Sequence, residues 1–349
     1  MPLLKELQKA GKFAGKVQDW IKDAEKDLKR DAENEAGPSN TVPHGLEPIE
    51  ATPALAIEEA QEKFVLKHVS GGRIMAIPQS AFTDLSNRGQ FIGRGSFGHV
   101  YRYTDEVTEC CVAVKQIDVM TNDIPSESQA VMGEVRVNEK LNHENITQFV
   151  GCCELKNTLY IVLEYMEGGS LRSKLNKIKQ EQAPPLLSDD AIMKYISDII
   201  SGLVYLHLNR VIHRDLRAAN VLLNSAETAK IADFGISKQL GTMATQSGFT
   251  TLVGNTYWRS PELIQNNIDQ CGRKVDVWSL GITILEMIYC TPPFMTQYEQ
   301  SAYMFALCVK KEIPQIPDLV RDDIKDILKK CLIFEAEDRL HSKDILTWN

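Results

Sequence analysis

The sequence contains no long uninterrupted apolar run and no excess of positive charge. Its 349 residues carry a formal net charge of −8, so no basic domain stands out and a nucleic-acid partner is not expected. No stretch of about 20 apolar residues is present that could form a transmembrane segment. The opening residues, MPLLKELQKAGK, lack the apolar core of a signal peptide. These absences predict a cytoplasmic protein without a transmembrane segment.

The eight cysteines do not follow a metal-binding or disulfide pattern. They occur as Cys110-Cys111, as Cys152-Cys153 and as four single residues, with no CxxC pair and no Cys/His spacing of a zinc site. We therefore expect reduced thiols packed inside the protein.

The first 62 residues lack the strand pattern of the remainder. Residues 1–35 contain one proline, at position 2, and their apolar positions from residue 3 to residue 28 recur in alternating steps of four and three. This spacing predicts an amphipathic helix that could bind a partner or pack on the protein itself. Residues 36–62 carry four prolines and few bulky apolar residues, which predicts a flexible linker.

The remaining chain divides into a strand-rich part and a helix-rich part. Residues 63–85 read as a β-hairpin around Gly71-Gly72. From Phe91 to about residue 165 the pattern is mostly that of strands, with one helix, and from Ser188 it is mostly that of helices. We therefore predict an α+β domain over 86–349, with a small β-rich lobe followed by a larger helical lobe.

A glycine-rich stretch, IGRGSFGHV, precedes a strand that ends in lysine. Gly93, Gly95 and Gly98 allow a β-hairpin to lie close over nucleotide phosphates. Dinucleotide-binding turns share this spacing, but they continue into a helix. Here CVAVK follows and places Lys115 on a second strand. The pair of motifs therefore favours a phosphate-binding hairpin with a lysine beside it.

Two further motifs supply carboxylates and an amide. HRDLRAAN contains Asp215 and Asn220, and ADFG contains Asp233, 18 residues after Asp215. Hard cations prefer carboxylate and amide oxygens, so Asn220 and Asp233 are candidate metal ligands. Asp215 is the candidate for orienting a hydroxyl and accepting its proton.

Together these motifs resemble those of eukaryotic protein kinases over about residues 86–347. Within that family, EYMEGGSL, GNTYWRSPEL and DVWSLGITILEM are most similar to the MAP kinase kinase kinase group. The resemblance implies a bilobal kinase fold and transfer of a phosphoryl group from ATP, with Mg²⁺, to a protein substrate such as a downstream kinase.

The resemblance also implies roles for individual residues. Leu163 would guard the back of the adenine pocket, and Glu134, rather than Glu139, would pair with the lysine. The implied catalytic residues are Asp215, Lys115, Glu134, Arg217 and Asn220, and the implied metal ligands are Asn220 and Asp233. The implied ATP contacts are Ile92, Gly93, Arg94, Gly95, Ser96, Phe97, Gly98, Val100, Ala113, Lys115, Glu164, Met166 and Leu222.

Further family positions match outside the cleft. Glu262 and Arg339 would form an ion pair, and Asp276 would hold the backbone of the catalytic loop. Ser247 and Thr251 resemble activating phosphorylation sites whose phosphates would bind Arg214. Asn138 stands where kinases normally place an apolar side chain.

Arg217 leaves open whether the phosphorylated residue of the substrate is serine or threonine, or tyrosine. Most serine/threonine kinases have a lysine there, which bridges the γ-phosphate and a threonine, but here the second position is Asn255. An arginine can donate to a phosphate and also to an asparagine carbonyl, so a coupled replacement is physically sensible. Some tyrosine kinases carry HRDLRAAN, but they have proline in place of Asn255 and phenylalanine in place of Leu280. Both differences favour serine/threonine specificity.

Three alternatives to a serine/threonine kinase are considered. Tyrosine and dual-specificity kinases share the motifs described above. A pseudokinase scaffold would have lost one of four residues that phosphoryl transfer needs. All four are present here: Lys115, Asp215, Asn220 and Asp233.

Overall fold

The computed structural model describes most of the chain beyond residue 62. The described residues are 63–69, 73–78, 89–95, 98–104, 109–118, 139–155, 158–181, 187–233, 238–239, 255–267 and 272–346. The helix predicted for 1–35, the linker predicted for 36–62 and the residues Ser96, Phe97, Glu134, Asn138, Ser247 and Thr251 lie outside them.

A five-stranded antiparallel sheet forms the first lobe, in the order β3-β4-β5-β7-β6. Its strands are rich in valine, isoleucine and tyrosine, which favour extended backbone. Val112 and Val114 of β5 are buried on one face, so Ala113 and Lys115 share the other. The strands are β3 (Gln90–Gly95), β4 (Gly98–Thr104), β5 (Cys111–Asp118), β6 (Phe149–Leu155) and β7 (Thr158–Glu164).

A separate two-stranded sheet precedes this lobe. Strands β1 (Lys63–Val69) and β2 (Arg73–Pro78) pair antiparallel. The hairpin lies beside β6, at the edge of the five-stranded sheet.

The second lobe is helical and contains the main hydrophobic core. Helix α2 begins as the sequence indicates, because the Ser188 side chain accepts a hydrogen bond from the Ala191 N–H at 3.2 Å. Helix α4 is buried nearly all round, with Trp278 fully enclosed. The helices are α1 (Leu171–Glu181), α2 (Asp189–Leu208), α3 (Pro261–Ile264), α4 (Lys274–Tyr289), α5 (Gln300–Cys308), α6 (Asp322–Cys331) and α7 (Ser342–Leu346). The predicted α+β fold is confirmed.

Helix α2 has the length and hydropathy needed to cross a membrane, and no other helix in the described part of the chain has both. Of the most apolar stretch of this helix, 61% is buried inside the protein. Its buried residues pack against α4 and α7. The apolar character of α2 is therefore used in the core of the second lobe.

Short strands position the loop that runs from residue 213 to residue 220. This loop lies between β9 and β10 and ends in a 3-10 turn, Ala218–Asn220. β10 pairs with β11 on one side and with β8 on the other, so the residues after β11 return to the same loop. The short strands are β8 (Gly169–Ser170), β9 (Val211–Ile212), β10 (Val221–Leu223), β11 (Ala229–Ile231) and β12 (Lys238–Gln239).

Candidate active site

An ion pair joins the two lobes. Lys115, on β5 of the first lobe, places its Nζ 2.9 Å from Oδ1 of Asp233, which follows β11 in the second lobe. The Lys115 side chain is only 6% exposed, and a buried ammonium needs a charged or hydrogen-bonding partner. The two residues that the motifs assigned to phosphate and metal binding are therefore in direct contact.

The backbone of the 213–220 loop is held by a buried carboxylate. Asp276 accepts the His213 N–H at 2.9 Å and the Arg214 N–H at 2.7 Å. Arg214 has φ of 68°, a left-handed conformation that costs free energy unless its surroundings enforce it. The anchoring role predicted for Asp276 therefore has a geometric basis.

Asp276 is itself held ionised. Its side chain is fully buried, and His207 Nε2 lies 2.8 Å from Oδ2. Burial alone favours the neutral carboxyl, but the hydrogen bond and charge of His207 hold the pKa of Asp276 below its usual range. The other ring nitrogen of His207 bonds Ser342 at 2.7 Å, which fixes the orientation of the imidazole.

Amide groups approach both carboxylate oxygens of Asp215. Asn220 Nδ2 donates to Oδ2 at 2.8 Å and to the Asp215 carbonyl at 2.7 Å. Asn255 Nδ2 donates to Oδ1 at 2.7 Å. The residue is only 5% exposed. These contacts fix the position of both carboxylate oxygens, which suits a carboxylate that orients a hydroxyl.

Arg217 also contacts Asp215. Its Nε lies 3.4 Å from Oδ2, and its guanidinium lies 6.0 Å from the centroid of the Trp258 ring. Because both residues differ from the usual lysine and threonine, the sequence suggested a contact between Arg217 and Asn255. The described residues show no such contact. Both side chains donate to Asp215 instead, because an ionised carboxylate is a stronger acceptor than an amide carbonyl.

Asn220 and Asp233 are held next to each other. The Ala232 N–H donates to the Asn220 carbonyl at 2.8 Å, and His213 Nε2 lies 3.0 Å from the Ala232 carbonyl oxygen. Both side-chain hydrogen bonds of Asn220 use its amide nitrogen, which leaves the amide oxygen available for a cation. The loop and the segment after β11 therefore bring the two predicted metal ligands together.

This donor set fits Mg²⁺ bound together with a nucleotide. Within the described residues, no group of three or more His, Cys, Asp or Glu side chains could hold a metal without help. Mg²⁺ is usually bound by one or two protein oxygens, substrate phosphates and water. One amide oxygen and one carboxylate are consistent with that mode. When bound, the ion would neutralise charge on the phosphate oxygens.

The predicted adenine contacts lie on one face of the first sheet. Val100 of β4 is opposite Lys115 in the register, and Ala113 is opposite Leu163 of β7. Because side chains alternate along a strand, these residues point to the same side as Lys115. Leu222, on β10 of the second lobe, is half-buried.

The glycine-rich hairpin is formed by β3 and β4. A Cβ at Gly98 would lie 1.9 Å from the Gln116 carbonyl oxygen, so β4 can approach β5 only with glycine there. A Cβ at Gly93 would meet nothing within 4 Å, so packing within the protein does not require that glycine. Ile92 and Arg94 are exposed on β3, and Gly95 pairs with Gly98 across the turn.

The end of β7 and the segment after it contain the two residues, Glu164 and Met166, whose backbone is predicted to bond the adenine edge. The structure leaves part of this backbone available. The Glu164 N–H already donates to the Gln148 carbonyl at 3.0 Å, so an adenine contact at Glu164 has to use its carbonyl. The Glu164 side chain turns away to Lys230, whose Nζ lies 2.8 Å from Oε1. The Met166 N–H has no hydrogen-bond partner among the described residues, which leaves it available for a base.

Glu286 is a candidate site residue that the sequence analysis missed. It lies on α4, is fully buried, and accepts hydrogen bonds from Arg172 Nη1 at 3.0 Å, the Ala218 N–H at 3.1 Å and Trp258 Nε1 at 2.7 Å. Burial raises the pKa of Glu286, and its three donors oppose that shift. A single carboxylate inside the apolar run ITILEM was the available signal.

Other predicted residues lie at a distance from this cluster. Glu262 and Arg339 form a buried bidentate pair at 2.8 and 3.2 Å, as the sequence predicts. Glu139 is exposed. Glu134, the residue preferred as the partner of Lys115, lies outside the described residues, and so do Ser96 and Phe97.

Comparisons with known proteins agree on the type of domain. A family model described as protein kinase domain matches residues 86–348. Mitogen-activated protein kinase kinase kinase YODA of Arabidopsis thaliana is 40% identical over 248 residues, covering 70% of this chain and 27% of that protein. Mitogen-activated protein kinase kinase kinase 3 of Homo sapiens is 36% identical over 265 residues, covering 74% and 41%.

A third relative comes from another lineage. A probable serine/threonine-protein kinase of Dictyostelium discoideum is 36% identical over 259 residues, which are 74% of this chain and 49% of that protein. The chain thus spans from about a quarter to about half the length of these three relatives.

Proposed function

This chain belongs to the protein kinase family, and from that membership we propose that it transfers the γ-phosphate of ATP to serine and threonine side chains of protein substrates. The observation that carries the proposal is the connected cluster of Lys115, Asp233, Asn220 and Asp215. Lys115 contacts Asp233, the Ala232 N–H bonds Asn220, and Asn220 bonds Asp215. Phosphoryl transfer needs phosphate binding, metal binding and hydroxyl orientation at one place.

Each residue has a role that its contacts support. Lys115 binds phosphate oxygens, and its contact with Asp233 positions its ammonium group in the cleft. Asp233 and the Asn220 amide oxygen would hold Mg²⁺, which would supply charge neutralisation at the phosphates. Asp215 orients the acceptor hydroxyl and takes its proton, and the donors around it fix the orientation of the carboxylate.

Serine and threonine are the proposed acceptors because Asn255 lies directly against Asp215. Its amide nitrogen is 2.7 Å from Oδ1. A proline there, as in the tyrosine kinases with this loop, would have no side-chain donor for that contact. Arg217 is the feature that favours tyrosine, and its bond to Asp215 is compatible with either acceptor.

A place in a signalling cascade follows from the relatives. Mitogen-activated protein kinase kinase kinases are named among the similar proteins from both plant and human sources. By analogy we propose that the substrate is a downstream protein kinase and that the reaction takes place in the cytoplasm.

Phosphate transfer to a degenerate peptide mixture tests the proposal. We expect Mg²⁺-dependent labelling of serine and threonine by the wild type, read out by phosphoamino-acid analysis. Asp215→Asn should lower the rate by orders of magnitude, because the amide cannot accept the proton. The matched control is Asp318→Asn, a similar change at an exposed position, which should keep full activity.

Three outcomes would contradict the proposal. Full activity of Asp215→Asn would remove the proposed role of the central carboxylate. Mainly phosphotyrosine from the wild type would make the chain a tyrosine kinase. Thermal stabilisation by Mg-ATP without any transfer would instead favour a pseudokinase scaffold.

A further inference from the structure

A cavity of about 650 Å³ opens beside the start of α5, outside the cluster described above. It lies between the 3-10 turn Thr256–Trp258 and the segment that leads into α5. We call it the α5 cavity. Its lining includes Tyr257, Met295, Tyr298, Glu299, Gln300 and Met304.

The α5 cavity is close to the acceptor position. The Thr256 hydroxyl donates to Gln300 Oε1 at 3.5 Å, and the preceding residue, Asn255, donates to Asp215. Tyr257 is two residues from Asn255, a separation of at most about 7 Å along the backbone. An extended peptide with its hydroxyl at Asp215 would therefore reach the cavity within about two to four residues.

The α5 cavity carries an available negative charge. Glu299 is exposed and forms no ion pair or side-chain hydrogen bond with any described residue. It is the N-cap residue of α5, but its side chain accepts no capping hydrogen bond from the described helix. Burial, and then the charge of Glu299, raise the pKa of Tyr257, which is consistent with a carboxylate close to that hydroxyl. Among the described residues that line it, none is a lysine or arginine.

The N-terminus of α5 only partly offsets this charge. A helix start carries roughly half a positive charge, which is less than the full charge of Glu299. A second carboxylate, Glu312, accepts the hydroxyl of the lining residue Tyr298 at 3.0 Å. A cation is therefore favoured over an anion.

The methionines supply a surface for an aliphatic chain. Met295 is 50% exposed and Met304 is half-buried. Lysine and arginine place their methylene groups along apolar surface and keep the charged end near water or a carboxylate. Methionine adapts its shape to such a chain.

We propose that the α5 cavity is a subsite for a basic side chain of the protein substrate, two to four residues from the phosphorylated serine or threonine, and that Glu299 determines this specificity. The proposal rests on the proposed function and adds a class of substrate to it. The ligand is a lysine or arginine whose stem lies on the methionines and whose charge faces Glu299.

Peptides with one lysine at successive positions around a fixed serine test the subsite. We expect a lower KM when the lysine lies at one particular position, and no such gain when the same lysine is acetylated. In Glu299→Gln the gain should shrink about threefold to fivefold, which is the scale of a solvent-exposed ion pair, with kcat and the KM for ATP unchanged. The matched control is Glu337→Gln, an equal charge change at another exposed position, which should keep the preference.

Charge reversal gives a second test. Glu299→Lys should move the preference at the same position from lysine to glutamate. A lysine preference that is equal in the wild type, Glu299→Gln and Glu299→Lys would overturn the proposal. So would transfer without any preference for lysine at any position.

Direct binding separates failure of the subsite from failure of the proposed function. Fluorescence anisotropy of the labelled lysine peptides, measured without ATP, does not depend on catalysis. Weaker binding to Glu299→Gln than to Glu337→Gln supports the subsite even if the wild type transfers no phosphate. Equal affinities of the two variants would reject it even if transfer is active.

Discussion

At the scale of single residues, the site depends on how Asp215 is held. Asn255 donates to one carboxylate oxygen, and Asn220 and Arg217 donate to the other. Asn220 also bonds the Asp215 carbonyl, so its amide fixes the side chain relative to the backbone. An ionised carboxylate with fixed orientation is what proton acceptance from a hydroxyl requires.

Replacement of Asn255 should therefore lower catalysis without loss of the fold. Asn255→Ala removes the donor at 2.7 Å from Oδ1, and a hydrogen bond to a charged group contributes about 1.5–3 kcal/mol. We expect kcat to fall about tenfold or more, with the KM for ATP little changed. Steady-state kinetics at saturating peptide measures the effect.

A double-mutant cycle supplies the control. Arg217→Lys and Asn255→Thr act on the same carboxylate, so their effects on kcat should be non-additive. Additive effects would mean that the two residues act separately. Phosphoserine and phosphothreonine should remain the products of the double variant.

At the scale of elements, Glu286 links three segments to α4. Its carboxylate accepts from Arg172 in α1, from the backbone of the 3-10 turn at Ala218 and from the Trp258 indole. Ala218 follows Arg217, and Trp258 is three residues from Asn255. The two segments that supply donors to Asp215 are thus fixed to one buried group.

Glu286→Gln should separate the contribution of the negative charge to stability from that of the hydrogen bonds. Oε2 accepts both Ala218 and Trp258, whereas Oε1 accepts Arg172. A glutamine can keep its oxygen toward the first two donors, but its NH₂ group then faces the arginine. We expect a loss of about 1–3 kcal/mol in the free energy of unfolding, from denaturant titration, because a buried donor is left without an acceptor.

A compensating variant makes the test specific. Arg172→Met in the Glu286→Gln background removes the facing donors and should restore part of the stability. Arg172→Met alone leaves the buried carboxylate with one donor fewer and should cost stability. A double variant less stable than either single variant would refute this account of the contacts.

At the scale of the whole molecule, buried charges connect distant parts of the chain. Arg339 and Glu262 are 77 residues apart and almost fully buried, and they bond each other at two positions. Arg339 also donates to the carbonyls of Lys274 and Ile333. The pair therefore holds α3, the start of α4 and the segment after α6 in one arrangement.

Removal of one partner should be costly. Arg339→Met removes the bidentate, buried partner of Glu262, and loss of one partner of a buried ion pair costs about 3–5 kcal/mol. We expect a large fall in Tm by calorimetry. The comparison variant is Lys311→Met, which breaks the exposed pair with Glu335 and should cost less than about 1 kcal/mol. Equal losses in the two variants would contradict a special role for the buried pair.

The sequence by itself determined the type of fold and identified most of the candidate site residues. Lys115, Asp215, Asn220 and Asp233 each belong to a short motif that can be identified along the chain. The Ser188 cap that begins α2 is also a local feature. Alternation along β5 predicts which side chains share a face. These features need no knowledge of distant contacts.

Only the tertiary structure decided the partners of these groups. Asn255 and Arg217 meet at Asp215 instead of at each other, because packing brings an ionised acceptor between them. Glu286 is 68 residues from Ala218 and 28 from Trp258, so no local pattern identifies its donors. The α5 cavity likewise forms between segments that only the fold brings together, since a buried or enclosed position depends on contacts remote in sequence.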